Sequence, residues 1–307
     1  YDNTTWKPAK RYDLFVGHAD VNFVQIARQL PPDATLVYFA TGMYWKHLNA
    51  MEAGRIYELA LRQGVLLMPD RAVSSEENAN RLADGIICFG RAAAATYADF
   101  PMVRAINLAA YPVDWEGWRE RNYAASRAHF LFFSGDGNIH KGLDLLLEAF
   151  AQTSLHLHIC QRLAPDFAQA YQHELTECPN IHYHGFVGMR SAAFHELAMQ
   201  CNWAITATCA DGQPGSVIEC MAHGMTPIVP DAAGIDVGDW GIRLEEMSVE
   251  AIRAAVERAS HLSEAECAER AEKTVCSVRS VHTAESFRRE FAGAVIEIGE
   301  AARTRSR

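Results

Sequence analysis

Short runs of β-branched and aromatic residues alternate along the chain with stretches whose apolar positions recur every three to four residues. This is the βαβ pattern of a mostly parallel sheet. The runs predict strands over residues 13–17, 35–40, 65–68, 85–89 and 103–108. Over residues 49–63, Met51, Ile56, Leu59 and Ala60 share a stripe, with Glu52, Arg55, Glu58 and Arg62 elsewhere and Gly64 as the stop. A surface helix is therefore predicted there. Residues 112–127 are charged, carry Trp115 and Trp118 and lack a clean period, so they read as a connection between domains. A second series predicts strands at 130–134, 155–160, 181–183, 203–207 and 226–229 and helices at 141–152, 165–175, 191–200 and 214–223. Helical segments at 248–260, 263–276 and 284–300 follow. The economical architecture is α/β, with two parallel Rossmann-like domains facing across a cleft and ligands at the carboxyl ends of the strands. The expected boundaries are 1–118 for the first domain, 119–283 for the second, and 284–307 for a C-terminal helix and tail placed to pack back on the first.

Composition narrows the classes. A length of 307 residues suits two domains. With 49% apolar and 21% charged residues, disordered, collagen-like and coiled-coil classes are excluded. A net charge of −10 repels a polyphosphate backbone, so nucleic acid is not an expected partner. No apolar run approaches the length of a transmembrane span, which leaves only a peripheral membrane contact open. The eight cysteines show no Cys-x-x-Cys spacing and several lie in apolar segments, a pattern that fits the reducing cytoplasm. The chain opens on Tyr1 without a leader pattern, and the basic stretch 303–307 reads as a frayed terminus.

Two loops carry the candidate chemistry. In the first, a predicted strand runs into Ala210-Asp211-Gly212-Gln213-Pro214-Gly215-Ser216 and then a helix with Pro214 at its first position. Unpaired N–H groups and the positive helix end suit an anion, and the glycines let a phosphate approach. Glu219 follows among Val217, Ile218, Cys220 and Met221. A carboxylate there needs a partner, and sugar hydroxyls are suitable donors. In the second loop, Phe133-Ser134-Gly135-Asp136-Gly137-Asn138-Ile139-His140-Lys141-Gly142 leads from a strand into a helix. It sets an ammonium at a strand's carboxyl edge, where a diphosphate is the natural guest.

Together these features resemble glycosyltransferase family 4 on the GT-B fold. Its G-R-x4-K-G-x-D loop is matched by Gly135-Asp136 to Lys141-Gly142-Leu143-Asp144. Its E-x7-E segment is matched by Asp211 to Glu219, continuing through Cys220-Met221-Ala222-His223-Gly224. Its G-F-V loop beside the nucleotide base appears as Gly185-Phe186-Val187, and its A-D-x-I-I strand as Ala83-Asp84-Gly85-Ile86-Ile87-Cys88. The resemblance is strongest from about residue 129 to 236. It implies retaining transfer of a sugar from a nucleotide diphosphate sugar, used as co-substrate with no cofactor and no metal, to an acceptor it does not specify. The absence of any Asp-x-Asp triplet agrees with a metal-free site.

By position, the resemblance makes Lys141 the group that neutralises the leaving diphosphate, Asp211 the one that approaches the donor sugar, and Glu219 the ribose ligand. Gly135, Gly137, Gln213, Pro214, Gly215 and Ser216 would line the phosphates and sugar, with Phe186 beside the base. The acceptor-side histidine the family often has near position 40 is absent, and His18 or His47 would substitute. Asp136 stands where the family has a phosphate-binding Arg, Asp211 is one methylene shorter than Glu, and the first domain lacks the family's opening βα units, so it is expected to be incomplete. A nucleotide-sugar epimerase or hydrolase and a catalytically inactive nucleotide-sugar-binding subunit are the alternatives. Tyr44 and Trp45 read as packing aromatics, and the pairs His156/His158 and His182/His184 share strand faces without a nearby further ligand that would favour a metal.

Overall fold

A computed structural model describes residues 6–305. The first sheet holds β1 (Leu14–Gly17), β2 (Thr35–Ala40), β3 (Gly85–Phe89) and β4 (Val103–Ile106), in that spatial order and all parallel. Helices α1 (Asp20–Ala27), α2 (Trp45–Gln63), α3 (Glu77–Leu82) and α4 (Gly90–Thr96) connect its strands. The second half begins with α5 (Tyr123–Ser126), β5 (His129–Phe133), α6 (Leu143–Phe150), β6 (His156–Cys160), α7 (Pro165–Ala170), α8 (Gln172–Glu177) and β7 (Ile181–Tyr183). It continues with α9 (Ala192–Gln200), β8 (Trp203–Ile205), α10 (Gly215–Ala222), β9 (Thr226–Pro230) and β10 (Ile242–Leu244). The second sheet is parallel, in the order β10-β9-β8-β5-β6-β7. From β5 the chain winds outward to β7, then returns to β8 and winds the other way. The strand order therefore reverses between β5 and β8, where a doubly wound sheet opens a crevice at its carboxyl ends.

The fold is thus the α/β arrangement of two parallel sheets that the hydrophobic pattern indicates. Helices α11 (Val249–Ser260) and α12 (Glu264–Val281) cover the second sheet, and α13 (Ala284–Arg305) crosses to pack on β2, β3 and β4. Residues 303–305 continue this helix instead of fraying, and the last two residues lie outside the described ones.

The structure corrects several local readings. Residues 65–68 form no strand: Leu66 and Met68 are exposed, while Leu67 and Val65 join Ile56 and Leu59 in packing against the second domain's core. Four apolar residues in a row fit a bridge to another domain as well as a strand, and Pro69 then removes a ladder donor. The helix expected over 165–175 breaks at Tyr171 into α7 and α8, because that buried ring anchors the turn. The three-residue β10, next to Gly241, is too short for periodicity to announce. Pro214 is the N-cap of α10 and Gly215 its first residue. The connection at 112–127 is fixed by Arg121, which is 4% exposed and donates to the Ala198, His223 and Gly224 carbonyls. It thereby satisfies carbonyls at the ends of α9 and α10 that no helical partner reaches.

Candidate functional site

The two glycine loops leave the carboxyl ends of β5 and β8, neighbouring strands at the reversal of strand order. They are joined by backbone: Ala207 N–H donates to the Lys141 carbonyl at 3.2 Å, and Cys209 N–H to the His140 carbonyl at 2.9 Å. Gly142 makes this approach feasible. Its φ is +78°, and a Cβ there would overlap the Ala207 carbonyl.

With the loops joined, the Lys141 ammonium forms an ion pair with the Asp211 carboxylate, both side chains largely buried. Asp211 is held by its N–H to the Ala232 carbonyl (2.9 Å) and by accepting from Gly212 N–H (3.1 Å). Beside them His140 is buried and its pKa is pushed down to about 4, first by burial and then by Lys141, so it is neutral at neutral pH. Gly212 packs on the first domain, its Cα region meeting Gly42 and the Phe89 carbonyl.

Glu219 lies one turn into α10 and is 3% exposed. Its Oε1 accepts the Tyr111 N–H at 2.9 Å, while its Oε2 is buried with no hydrogen-bond partner. Burial pushes its pKa up, opposed by the Tyr111 N–H and by the charge of Arg190. Tyr111, on the connection between the domains, holds this carboxylate through its backbone N–H, and the Arg190 guanidinium stacks 4.3 Å from the exposed Tyr111 ring. Phe186 is exposed, with the Arg162 guanidinium 4.4 Å from its ring. Asp136 is exposed in the first loop, near Gly135.

Other expected residues are used differently. The Gln213 side chain does not line the loop. Its Oε1 accepts from Leu108 N–H (2.7 Å), and its Nε2 donates to Asn107 Oδ1 (2.8 Å) and the Gly234 carbonyl (3.2 Å). It ties the two halves together from a left-handed backbone at φ +51°. Gln213 also lines a cavity of about 560 Å³, together with Arg91, Asn107, Asp231, Trp240 and Arg243. Size alone would favour that cavity, but its lining includes none of Lys141, Asp211 and Glu219. His18 hydrogen-bonds the Phe39 carbonyl at 3.0 Å and is not joined to the Lys141–Asp211 pair; His47 is exposed on α2. Tyr44 packs among Trp45, Tyr97 and Phe100. The paired histidines do share a face and, with His129, form a stacked, hydrogen-bonded row, but no described group of three or more potential ligands is arranged to hold a metal. Tyr111 and Arg190 had no sequence signal that tied them to Glu219.

Residues 128–261, which contain both glycine loops, match the family model described as glycosyl transferases group 1. That stretch of the second half is similar to the group 1 glycosyltransferases. Among solved structures, the chain is similar to TarM of S. aureus (TM-score 0.65, 13% identity, covering 92% of this chain and 54% of that one). It is also similar to HepE of Anabaena, solved in complex with UDP and glucose (TM-score 0.61, 16% identity, 96% and 78%). A third is the α,α-trehalose 6-phosphate synthase of Burkholderia multivorans (TM-score 0.66, 12% identity, 95% and 73%). At these identities the likeness is one of fold, and the fold is the GT-B arrangement of two parallel α/β halves. The chain spans about half the length of TarM. No curated protein sequence is significantly similar to it. No helix among the described residues is long and apolar enough to cross a membrane.

Proposed function

We propose that the protein is a retaining, metal-independent glycosyltransferase that takes a sugar from a nucleoside diphosphate sugar. The observation that carries this reading is the pairing of Lys141 with Asp211 at the reversal between β5 and β8, with the unpartnered Oε2 of Glu219 one turn into the helix that follows the Asp211 loop. A ribose hydroxyl is a donor that would satisfy that oxygen, at the cost of displacing Tyr111 or entering beside it. Phe186, with Arg162 beside it, offers a face on which a base can stack.

In the reaction, the bond from the anomeric carbon to the β-phosphate oxygen breaks, and the acceptor oxygen bonds to that carbon. The acceptor's proton leaves toward the departing diphosphate. Charge builds on the leaving oxygen, and here Lys141 together with the first N–H groups of α10 would offset it. An incoming diphosphate competes with Asp211 for the ammonium, which frees the carboxylate to approach the sugar. Pro214, Gly215 and Ser216 would face the phosphates by backbone; in this reading Gln213 fixes the loop without touching substrate. The unpaired cysteines suit a reducing compartment such as the cytoplasm.

The test is calorimetric titration of the wild type and Glu219→Ala with UDP, GDP and ADP. One diphosphate should bind the wild type and lose about tenfold or more in the variant. Equal affinity would remove the assignment. Nucleoside diphosphate release from its sugar without an acceptor would favour a hydrolase. Asp136, a carboxylate in the phosphate loop, favours a binding-only subunit as the second reading, which predicts binding without turnover on any acceptor.

A further inference from the structure

The first glycine loop carries an exposed carboxylate, Asp136, close in sequence to Lys141. The opposite domain brings a cation to the same loop. Glu52 on α2 is 1% exposed, and its Oε1 accepts both the Asp70 N–H (3.1 Å) and the Arg71 N–H (2.8 Å), fixing those two residues in place. Asp70 Oδ2 in turn accepts the Asn138 N–H at 2.8 Å. The stem of Arg71 lies against Gly137, whose φ is +90°, so closely that any Cβ there would overlap it. Two consecutive residues of the first domain are therefore seated on the loop that carries Gly135, Asp136 and Gly137.

The Arg71 guanidinium has no hydrogen bond or ion pair to any described residue, although its stem is held. It is close enough to His140, next to Lys141, for its charge to add to the lowering of the His140 pKa. A guanidinium with a fixed backbone, a packed stem and an uncommitted head is pre-organised for an oxyanion with paired acceptor oxygens. Asp70 has the opposite effect: it takes the Asn138 N–H that a phosphate could otherwise use, which leaves the side-chain cations to hold the diphosphate.

We infer that Arg71 supplies a guanidinium from the first domain to this loop, binding the donor diphosphate together with Lys141. This inference rests on the nucleoside diphosphate reading above. It makes donor binding depend on a residue from each half of the chain.

Full-length wild type, Arg71→Ala, Arg71→Gln and the double variant Arg71→Ala/Asp136→Arg are titrated with UDP, GDP and ADP, and with uridine, guanosine and adenosine. Arg71→Gln keeps most of the stem over Gly137 and removes only the charge. Both single variants should lose about ten- to a hundredfold in affinity for the preferred diphosphate, as charged hydrogen bonds do, while the matching nucleoside stays within about twofold. The double variant should recover most of the loss. Unchanged diphosphate affinity in Arg71→Gln would overturn the inference, as would an equal loss for nucleoside and diphosphate, which marks a merely structural loop. If the wild type binds none of the three diphosphates, the nucleoside diphosphate reading itself fails and the inference falls with it. If the wild type binds one and Arg71→Gln binds it as tightly, only the role of Arg71 fails.

Discussion

Replacing Asp144 by alanine strands a guanidinium between the two sheets. Asp144, in the first turn of α6, is fully buried, 2.7 Å from Arg62 Nη2 and 3.5 Å from Arg55 Nη2, both on α2 of the first domain. Arg62 keeps Glu148 at 3.2 Å when the carboxylate is lost. Arg55 does not fare so well: it is 4% exposed, and without Asp144 its close acceptor is the Ala207 carbonyl at 3.2 Å, with Glu58 at 3.9 Å. Removing one partner of a buried pair costs about 3–5 kcal/mol, because an uncompensated charge remains out of water. Glu148 and Ala207 share part of the load, so the lower end, about 3 kcal/mol, is expected. At roughly 2–4 °C per kcal/mol for a domain of this size, the melting temperature should fall by about 6–12 °C. Differential scanning calorimetry of wild type, Asp144→Ala and Asp144→Leu/Arg55→Met measures it. Removing both charges should recover at least half of the loss. A single variant melting within about 2 °C of wild type would refute the reasoning, as would a double variant less stable than the single.

Gly142→Ala forces a left-handed residue and sets a methyl on the Ala207 carbonyl, so we expect a loss of at least about 2 kcal/mol by urea denaturation together with loss of diphosphate binding. Burial holds His158 and His129 neutral, with pKa values lowered to about 3 and about 4, and further lowered by the histidines stacked beside them. Because the folded values lie below the ordinary one near 6.5, the unfolded chain binds more protons between the two. Stability is therefore fully present above about pH 6.5 and declines as pH falls toward about 4. In His158→Gln the slope of unfolding free energy against pH in that window should flatten by up to about 1.4 kcal/mol per pH unit, one proton's worth; an unchanged slope would clear His158 of that role.

How far the residues themselves revealed the site varies with distance along the chain. Lys141 and Asp211 were legible because each stands in a strand-to-helix loop whose glycines and helix start are local features. Glu219 was legible as a carboxylate out of place in an apolar helix, but not its hydrogen-bond partner, since Tyr111 lies 108 positions away. The partners of Gln213 were hidden for the same reason: its amide meets Leu108 and Asn107, more than a hundred positions away. His18 stands near a strand end, as expected, yet its ring is engaged by the Phe39 carbonyl.

From the sequence alone followed the two α/β halves, most strands and helices, and the two loops with their cation and carboxylates, because periodicity, glycine and helix starts act over a few residues. Only the tertiary structure decided that β5 and β8 are neighbours, that residues 65–71 leave the first domain to rest on the second, and that the Arg71 stem lies against Gly137 in the first glycine loop. Those are contacts between distant segments. Their energy comes from buried surface and paired charge that form only once the domains meet, so no local pattern records them.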